Sequence, residues 1–397
     1  MPMLHPSKPG FNPLVARISP PPIPAVQAWA RKYDGSRGPL IDLSQAVPGY
    51  PPHADLLEWL GEAAGSVACT GYGAIEGDLG LRLAYSAHVA ELYGASVGAD
   101  DIQITAGCNQ AFVAAIMAVA GPGDAVLMTN PRYFNHETTL AMLGVSARYV
   151  ECRAENGFLP EPSEIAAKLD GGVKAVALVS PNNPTGAVYP PALLREIFEL
   201  CRARRVWLML DETYRDFLPA DAGRPHDLLD GESWRGNLIQ LYSFSKSFCI
   251  PGHRLGAVAA DASVINQIAK VMDNLQICAP RAPQAAVSRG LPALGEWREG
   301  NRREIEARSA AMRAALERAP GWELQAIGAY FAFVRHPFAS VSSVEVAERL
   351  AVEAGVATIP GEFFGSGLER HLRVAFANAD VKTIAGLPGR LTALGVS

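Results

Sequence analysis

Two kinds of pattern that often reveal function are missing from this 397-residue chain: runs of positive charge and closely spaced cysteines. Its 35 Lys and Arg residues are scattered and are outnumbered by 40 Asp and Glu residues, which gives a net charge of −5. This balance gives no electrostatic reason to expect a nucleic acid or an anionic membrane as partner. The six cysteines form no Cys-x-x-Cys pair, so no metal site or disulfide framework is predicted, and reduced thiols in the cytoplasm are the simpler interpretation.

Long apolar runs are missing as well. The longest, Ala111–Ala120, is about half of the roughly 20 residues that a membrane-spanning helix needs, so a buried helix is the better interpretation. The first residues, Met1–Asn12, contain Pro, His, Ser and Lys without an apolar core, so we expect no signal peptide. No repeat is visible, which argues against a solenoid architecture.

Short apolar runs are abundant between residues 100 and 260, and helical stretches such as Pro191–Arg204 separate most of them. The runs are predicted to be buried strands at Ile102–Thr105, Ala125–Thr129, Ala147–Val150, Ala175–Val179, Val206–Leu210, Leu238–Tyr242 and Leu255–Ala259. Two further helices are predicted at Leu79–Tyr93 and Gln110–Ala120. Buried strands that alternate with helices predict an α/β fold with a mainly parallel sheet flanked by helices.

The pattern changes after residue 285 and predicts a smaller α+β domain. Its elements are a charged helix at Gly295–Ala319, an apolar segment at Ala329–Val334, a helix at Val344–Ala354 and a strand at His371–Phe376. The first fifty residues are rich in proline and predict an extended arm. We therefore expect an arm over residues 1–49 that packs with the small domain, a large domain over 50–285 and the small domain over 286–397.

Two titratable residues follow strands of the predicted sheet, at the edge where open α/β sheets bind ligands. Lys246 lies just beyond Leu238–Tyr242 among small and aromatic residues, where partial desolvation would lower its pKa and make the amine nucleophilic toward an aldehyde. Asp211 ends the apolar strand Val206–Leu210, where a buried carboxylate needs a partner such as a protonated pyridine nitrogen. Taken alone, Lys246 could also be a surface lysine, and Asp211 a helix cap or a structural ion-pair partner.

Other side chains suit further atoms of pyridoxal phosphate (PLP), an aldehyde that carries a pyridine ring. Tyr214 and Asn183 could donate hydrogen bonds to its 3′-oxygen. The ring of Tyr133 could stack on the pyridine face, with Phe134 as the rival for this role. Arg373 lies inside an apolar strand and needs an anion, which a substrate carboxylate or a structural salt bridge would provide.

A phosphate group needs backbone N–H groups at the start of a helix and a cation nearby. The candidates are the turn Gly107, Cys108 and Asn109 before a predicted helix, the hydroxyls of Ser243 and Ser245, and the guanidinium of Arg254. A glycine turn before a helix and a surface arginine are common features, so this evidence gains weight only from the other motifs.

Together these motifs resemble those of the class I/II aminotransferases, the fold-type-I PLP enzymes that include aspartate aminotransferase. The resemblance extends from about residue 15 to residue 390 and follows the chain in order: Tyr72-Gly73, Gly107-Cys108-Asn109, Pro181–Gly186, Asp211–Tyr214, Ser243–Lys246, Arg254–Gly256 and Arg373. Each motif is weak alone, whereas the ordered set is highly specific.

The resemblance implies a role for each residue. Lys246 would bind PLP as a Schiff base and then move the substrate proton, while Asp211 would pair with the pyridine nitrogen. Tyr72 would reach the phosphate of the neighbouring subunit, which implies a homodimer with two shared sites. The remaining roles are ring contacts by Asn183, Tyr214 and Tyr133, phosphate contacts by Gly107, Cys108, Asn109, Ser243 and Arg254, and the binding of the substrate α-carboxylate by Arg373.

The chain departs from the family pattern in two places that concern the substrate. The segment Ala46–Tyr50 replaces the usual Gly-x-Pro-Asp, so Val47 or Tyr50 is expected to contact the substrate side chain. Dicarboxylate-specific relatives have an arginine near the position of Asn274, where this chain has none, although Arg281 is close. A strict preference for aspartate or glutamate is therefore not expected.

The resemblance thus implies a cytoplasmic, PLP-dependent aminotransferase that moves an amino group between an amino acid and a 2-oxo acid by a ping-pong mechanism. The same residues could serve a β-lyase, a cyclase, a decarboxylase or an oxidase, because the outcome depends on which bond at Cα lies perpendicular to the ring. A ligand-sensing protein without turnover would be expected to have lost a catalytic residue. The donor stays open, although the apolar residues Ile18, Ile23 and Val47 favour a neutral or aromatic side chain.

Overall fold

A computed structural model describes residues 10–394 of the chain. In this range the strands are Ile41–Asp42 (β1), Ile102–Thr105 (β2), Ala125–Asn130 (β3), Ser146–Glu151 (β4), Val173–Val179 (β5), Trp207–Asp211 (β6), Leu238–Ser243 (β7), Gly256–Ala260 (β8), Glu323–Gly328 (β9), Phe331–Arg335 (β10), Val356–Ala357 (β11), Ile359–Pro360 (β12) and His371–Val374 (β13). The α-helices are Pro13–Ala16 (α1), Pro22–Ala30 (α2), Ala54–Ala64 (α3), Leu79–Tyr93 (α4), Cys108–Val119 (α5), Phe134–Leu143 (α6), Pro162–Lys168 (α7), Pro191–Arg204 (α8), Phe244–Ser247 (α9), Ala262–Leu275 (α10), Arg281–Ala293 (α11), Gly295–Glu317 (α12), Ser343–Glu353 (α13), Val381–Ala385 (α14) and Leu387–Leu391 (α15).

A seven-stranded sheet in the order β2-β8-β7-β6-β5-β3-β4 forms the centre of the molecule. Strands β3 to β7 run parallel to one another, whereas β8 is antiparallel to both β7 and β2. The predicted α/β fold with a mainly parallel sheet is therefore confirmed. Because parallel strands end at one edge of the sheet, the residues that follow β5, β6 and β7 lie side by side.

Both faces of this sheet are covered, which explains why most residues of its strands are apolar. Successive residues alternate between the two faces: Ala125 and Leu127 pack in the core that includes α3, α4, α8 and α11, whereas Val126 and Met128 pack in the core that includes α5, α6 and α10. All six residues of β3 are buried. The sheet thus holds in place the polar groups at the ends of β5, β6 and β7.

A smaller unit follows in the chain. Strands β12, β13, β10 and β9 form a four-stranded antiparallel sheet, and helices α12 and α13 contribute Met312, Leu316 and Leu350 to its core. The arm joins this core, because β1 pairs in parallel with β11 and Ile41 and Leu43 pack into the same apolar cluster.

On this basis we keep the proposed division into an arm (residues 1–49), a large domain (50–285) and a small domain (286–397). Residues 1–9 of the arm and 395–397 of the small domain lie outside the described range. None of the helices within residues 10–394 is both long and apolar enough to cross a membrane.

Several elements differ from the predicted ones. Helix α5 begins at Cys108, two residues before the predicted start, because Gly107 turns the chain with a φ of +86°. Strand β13 ends at Val374 rather than at Phe376. Helices α10 and α11 have no counterpart among the predicted elements. In α11 the prolines Pro283 and Pro292 weaken the helical pattern of the sequence. Pro283 lies in the first turn, where proline is tolerated, whereas Pro292 lies in the last turn and cannot donate a helical hydrogen bond.

Candidate active site

A cavity of about 290 Å³ opens where the parallel strands end. Val179, Asp211 and Ser243, the last residues of β5, β6 and β7, line it together with residues of the arm and of the small domain. The predicted site residues in its lining are Val47, Cys108, Asn109, Tyr133, Asn183, Asp211, Tyr214, Ser243, Ser245, Lys246, Arg254 and Arg373. Gly107 lies directly behind this lining, and Tyr72 lies away from it.

Lys246 is carried by the four-residue helix α9, directly after β7. Its Nζ donates a hydrogen bond to the carbonyl oxygen of Ala46, so the arm closes over the amine. Burial and the positive charges of Arg373 and Arg254 lower the pKa of Lys246 to about 8. A much larger fraction of this amine is therefore uncharged at neutral pH than of an ordinary lysine, as a nucleophile requires.

Asp211 is buried at the end of β6. Its Oδ1 accepts a hydrogen bond from the backbone N–H of Thr213 at 2.9 Å, and its Oδ2 lies 3.4 Å from Nε2 of His136. Burial raises the pKa of Asp211, but His136 and Thr213 outweigh this effect and hold the pKa below its ordinary value. The carboxylate is therefore charged, and it faces the cavity.

His136 is the site residue whose role the sequence does not reveal. It is buried in α6, and its ring stacks on Phe112 with centroids 3.8 Å apart and an interplanar angle of 10°. A lone histidine gives no pattern in the sequence, and only the fold brings α6 next to the end of β6. The one available signal is that a histidine among apolar residues needs a polar partner.

Arg373 is the cationic group on the opposite side of the cavity. Its Nη1 donates to Oδ1 of Asn183 at 3.1 Å, and its Nη2 donates to the carbonyl oxygen of Ser44. Its Nε has no hydrogen-bond partner among the residues that the structure describes. Burial lowers the pKa of Arg373 to about 10, which leaves it cationic at neutral pH. Asn183 thus joins Arg373 to the end of the large sheet.

Two phenols lie between these groups. Tyr214 and Tyr133 both line the cavity, and burial raises the pKa of both, that of Tyr133 to about 12. Tyr133 also accepts a hydrogen bond from Nδ2 of Asn135 at 2.8 Å, and its ring lies 5.1 Å from that of His136. Phe134, the rival for stacking, also lines the cavity and packs against Phe364 with ring centroids 5.4 Å apart.

The turn at Gly107 packs against Arg254 at the other end of the cavity. A Cβ atom at position 107 would clash with the end of the Arg254 side chain, and the positive φ of Gly107 favours glycine at this position. Ser245 points its hydroxyl to the same region, and this buried oxygen has no partner within residues 10–394. Cys108 contributes a buried thiol, whose pKa is raised by burial and by the nearby Asp211 carboxylate.

The two residues proposed to contact the substrate side chain, Val47 and Tyr50, lie in different surroundings in the structure. Val47 lines the cavity, together with Ile23 and Phe134. Tyr50 instead packs against the apolar cluster of the small domain, with the guanidinium of Arg308 5.3 Å from its ring. The structure therefore places Val47, and not Tyr50, at this wall.

The chain resembles known transaminases over most of its length. The family described as aminotransferase class I and II matches residues 39–391. An aspartate aminotransferase of Sulfurisphaera tokodaii is 28% identical over 85% of this chain and 86% of its own length. The arginine–pyruvate transaminase AruH of Pseudomonas aeruginosa is 30% identical over 77% of each chain. The structure of a Thermus thermophilus aspartate aminotransferase double mutant superposes with a TM-score of 0.89 at 25% identity and covers 97% of this chain and 100% of its own.

Proposed function

The chain belongs to the class I and II aminotransferase family, and from this premise we propose which residues carry out its reaction and which donors it accepts. Family and relatives make it a PLP-dependent aminotransferase, which moves an amino group between an amino acid and a 2-oxo acid. When bound, PLP supplies an aldehyde for the amino group and a ring that withdraws electrons from the substrate α-carbon. The alternative lyase, cyclase, decarboxylase and oxidase activities appear in none of the three names given above.

The turn around Gly107 has the donor set that a phosphate group requires. Gly107 brings the start of α5 close to the Arg254 guanidinium, and the backbone N–H groups of Cys108 and Asn109 lie at the helix N-terminus. The buried hydroxyl of Ser245 lacks a partner within the described part of the chain, as expected of a donor meant for a ligand. Ser243 adds a second hydroxyl at the cavity wall.

The opposite end of the cavity suits the pyridine ring. The buried, charged Asp211 would stabilise a protonated ring nitrogen, with His136 as the group that orients the carboxylate. Tyr214 and Asn183 both line the cavity and would donate to the ring 3′-oxygen. The ring of Tyr133 would stack on the pyridine face.

Lys246 carries the proposed function, and the observation that supports it most is its half-buried side chain in the wall of the cavity, where the pKa of the amine is lowered to about 8. This amine would bind the PLP aldehyde and, once the substrate has replaced it there, would take the proton from the substrate α-carbon. Its contact with Ala46 supports this role, because the arm covers the amine from one side and would limit the access of water.

Arg373 would bind the substrate α-carboxylate through paired hydrogen bonds. Its Nε is unpartnered within residues 10–394, and Asn183 and Ser44 hold the guanidinium in place. The neighbouring wall of Ile23, Val47 and Phe134 is apolar. We therefore propose that the preferred donors have neutral or aromatic side chains rather than acidic ones.

We propose a homodimer, because a patch of exposed apolar side chains lies beside the cavity. Its members are Val67, Tyr72, Leu79, Leu83, Leu275 and Ile277, and Tyr72 is 80% exposed. Gly73 donates to Sγ of Cys278, and Gln110 of α5 donates to Gln276, so this patch borders the helix proposed to bind phosphate. A partner that covers the patch would bring its own Tyr72 toward this phosphate site.

We also propose a cytoplasmic location, which the six unpaired cysteines of the described residues support.

The dimer would be tested by the mass of the purified protein in analytical ultracentrifugation. The substitution Tyr72→Phe should weaken PLP binding and leave that mass unchanged. A monomer with full PLP affinity would contradict the shared site.

The role of Lys246 is tested by the absorption spectrum of the protein with PLP and by chemical trapping of the bound PLP. Supplied with PLP, the protein should show the absorption band of PLP bound to a lysine, and borohydride reduction should attach the PLP mass to the peptide that contains Lys246. Lys246→Ala should lose the band. Lys270→Ala is the matched control, because Lys270 is exposed on α10 and should change nothing. A band that persists in Lys246→Ala would disprove the assignment.

The donor preference is tested by adding each of the twenty amino acids without a 2-oxo acid. A good donor should convert the lysine-bound band to that of the aminated cofactor. We expect the fastest conversion with large neutral or aromatic amino acids. If aspartate and glutamate react fastest, the proposed preference is wrong although the aminotransferase assignment stands.

A further inference from the structure

The segment that follows β6 has two faces. Asp211 and Tyr214 line the cavity, whereas Glu212, Arg215 and Asp216 enter a polar cluster on the opposite side. We call this group the back cluster. It consists of Tyr85, His88, Tyr93, Glu212, Arg215, Asp216, His226, Gln240, Tyr242 and Ser247. None of these residues has a role in the proposed reaction.

Arg215 is the centre of the back cluster. Its side chain is fully buried, and its Nη1 and Nη2 donate to the hydroxyls of Tyr93 and Tyr85, each at 3.2 Å. The ring of Tyr242 lies 4.1 Å from its Cζ, and the Glu212 carboxylate lies 4.0 Å away. These contacts fix the backbone directly behind Asp211 and Tyr214.

Tyr242 connects this segment with the turn that carries Lys246. Its hydroxyl lies 2.7 Å from Oδ2 of Asp216 and 2.7 Å from Oγ of Ser247, the residue next to Lys246. Burial raises the pKa of Asp216, but the neighbouring His88 and Arg215 outweigh this and keep the pKa below its ordinary value. Because the charged carboxylate can only accept, Tyr242 donates to Asp216 and accepts from Ser247.

The turn that carries Lys246 needs such support. Helix α9 is four residues long, and one helical turn has little stability of its own. We propose that the Tyr242 hydroxyl is a positioning group, which holds the Lys246 turn at a fixed place relative to the strand end that carries Asp211 and Tyr214. The inference rests on the roles proposed above for Lys246 and Asp211, and it assigns a function to a hydroxyl on the far side of the sheet edge.

The substitution Tyr242→Phe tests this directly, because it removes only the hydroxyl and keeps the ring beside Arg215. We expect kcat to fall by about fivefold with KM unchanged, the effect of one lost hydrogen bond that acts on the reaction step. We also expect slower borohydride trapping at Lys246 and a shifted pH midpoint of the lysine-bound PLP band.

The matched control is Tyr85→Phe. Tyr85 stacks on Tyr242 with ring centroids 5.4 Å apart, and its hydroxyl contacts Arg215 but not Ser247. We expect this variant to lose thermal stability as Tyr242→Phe does, while its pH midpoint and trapping rate stay those of the unmodified protein. Equal shifts in both variants would mean that the back cluster only stabilises the fold, and would overturn the proposal.

Ser247 offers a second approach from the other end of the bridge. Ser247→Ala should give the same spectral shift as Tyr242→Phe, the double variant should add nothing, and Ser247→Thr should restore the midpoint. Independent, additive effects would overturn the proposal, as would an unchanged midpoint and trapping rate in Tyr242→Phe. Trapping in the unmodified protein distinguishes the failure of this inference from the failure of the proposed function. If borohydride traps PLP at Lys246 of the unmodified protein and Tyr242→Phe has no effect, only the positioning role is rejected. If the unmodified protein shows no trapping, the proposed function is rejected as well.

Discussion

The two walls of the cavity are built in different ways. On the sheet side, Asp211, Ser243 and Lys246 lie within three residues of adjacent strand ends, and a buried sheet fixes them. On the opposite side, Val47 and Arg373 come from segments more than 300 residues apart in the chain, joined by the contact of Arg373 with Ser44. Under the proposed roles, the groups that carry out the reaction are attached to the buried sheet, whereas the groups that bind the substrate carboxylate and side chain belong to the part assembled from distant segments.

We call the side of the cavity formed by Asp211, Ser243 and Lys246 the sheet wall. If this division is right, substitutions in the sheet wall will have the largest effect on activity. Asp211→Asn should lower kcat by about a hundredfold to a thousandfold, because the carboxylate can no longer stabilise a charged ring nitrogen. The loss should be the same for every donor amino acid, and the PLP band at Lys246 should remain. Steady-state kinetics with one aromatic and one small donor would check this. A loss confined to one donor would mean that Asp211 contributes to substrate selection, which contradicts the proposed difference between the two walls.

Arg373 tests the other wall. Arg373→Lys keeps the charge but loses the paired geometry, so kcat/KM should fall by about tenfold to a hundredfold, mostly through KM. Arg370→Lys is the matched control, because Arg370 lies three residues earlier and donates to the carbonyl oxygen of His336. A fall in kcat with KM unchanged would mean that Arg373 acts on the reaction step and not on substrate binding.

The pH dependence of PLP capture sharpens the description of Lys246. Only the neutral amine attacks an aldehyde, and the pKa of Lys246 is lowered to about 8. The rate at which the PLP-free protein binds PLP should therefore rise about tenfold per pH unit below 8 and level off above it. Stopped-flow absorbance would follow this. A rate that still rises at pH 10 would mean that the amine behaves like an ordinary lysine.

The smallest effect is expected at Val47. Val47→Ala should lower kcat/KM for large apolar donors by no more than about fivefold and leave alanine unaffected, because it removes only apolar contact with the substrate side chain. Competition between phenylalanine and alanine in one assay would measure it. Equal losses for both donors would place Val47 in the reaction itself and remove the distinction between the walls.

The sheet wall could be predicted from sequence because its signals are local. Asp211 follows an unbroken apolar strand, and Lys246 lies a few residues past another, so each residue marks its own place at the sheet edge. The α/β fold follows from the same alternation of buried strands and helices, and the bounds of α4, α8 and β2 agree with the predicted ones.

The places of His136 and Tyr50 could not be predicted, because they depend on contacts between distant segments. His136 reaches Asp211 only through the packing of α6, and Tyr50 turns away from the cavity because the core of the small domain takes its ring. The start of α5 at Cys108 depends on the left-handed backbone of Gly107. The pattern of residues along the chain does not reveal how distant segments pack or which backbone conformation a glycine adopts.

The closure of the arm over the cavity also has a consequence for biosynthesis. Ala46 and Ser44 leave the ribosome long before Lys246 and Arg373, the residues they contact 200 and 329 positions later. During translation the arm therefore lacks these contacts until the last strands of the small domain have been made. Loop closure over such separations is slow. A nascent chain halted before residue 373 would lack the arginine proposed to bind the substrate, so catalytic competence would arise only after the last strands of the small domain have been made.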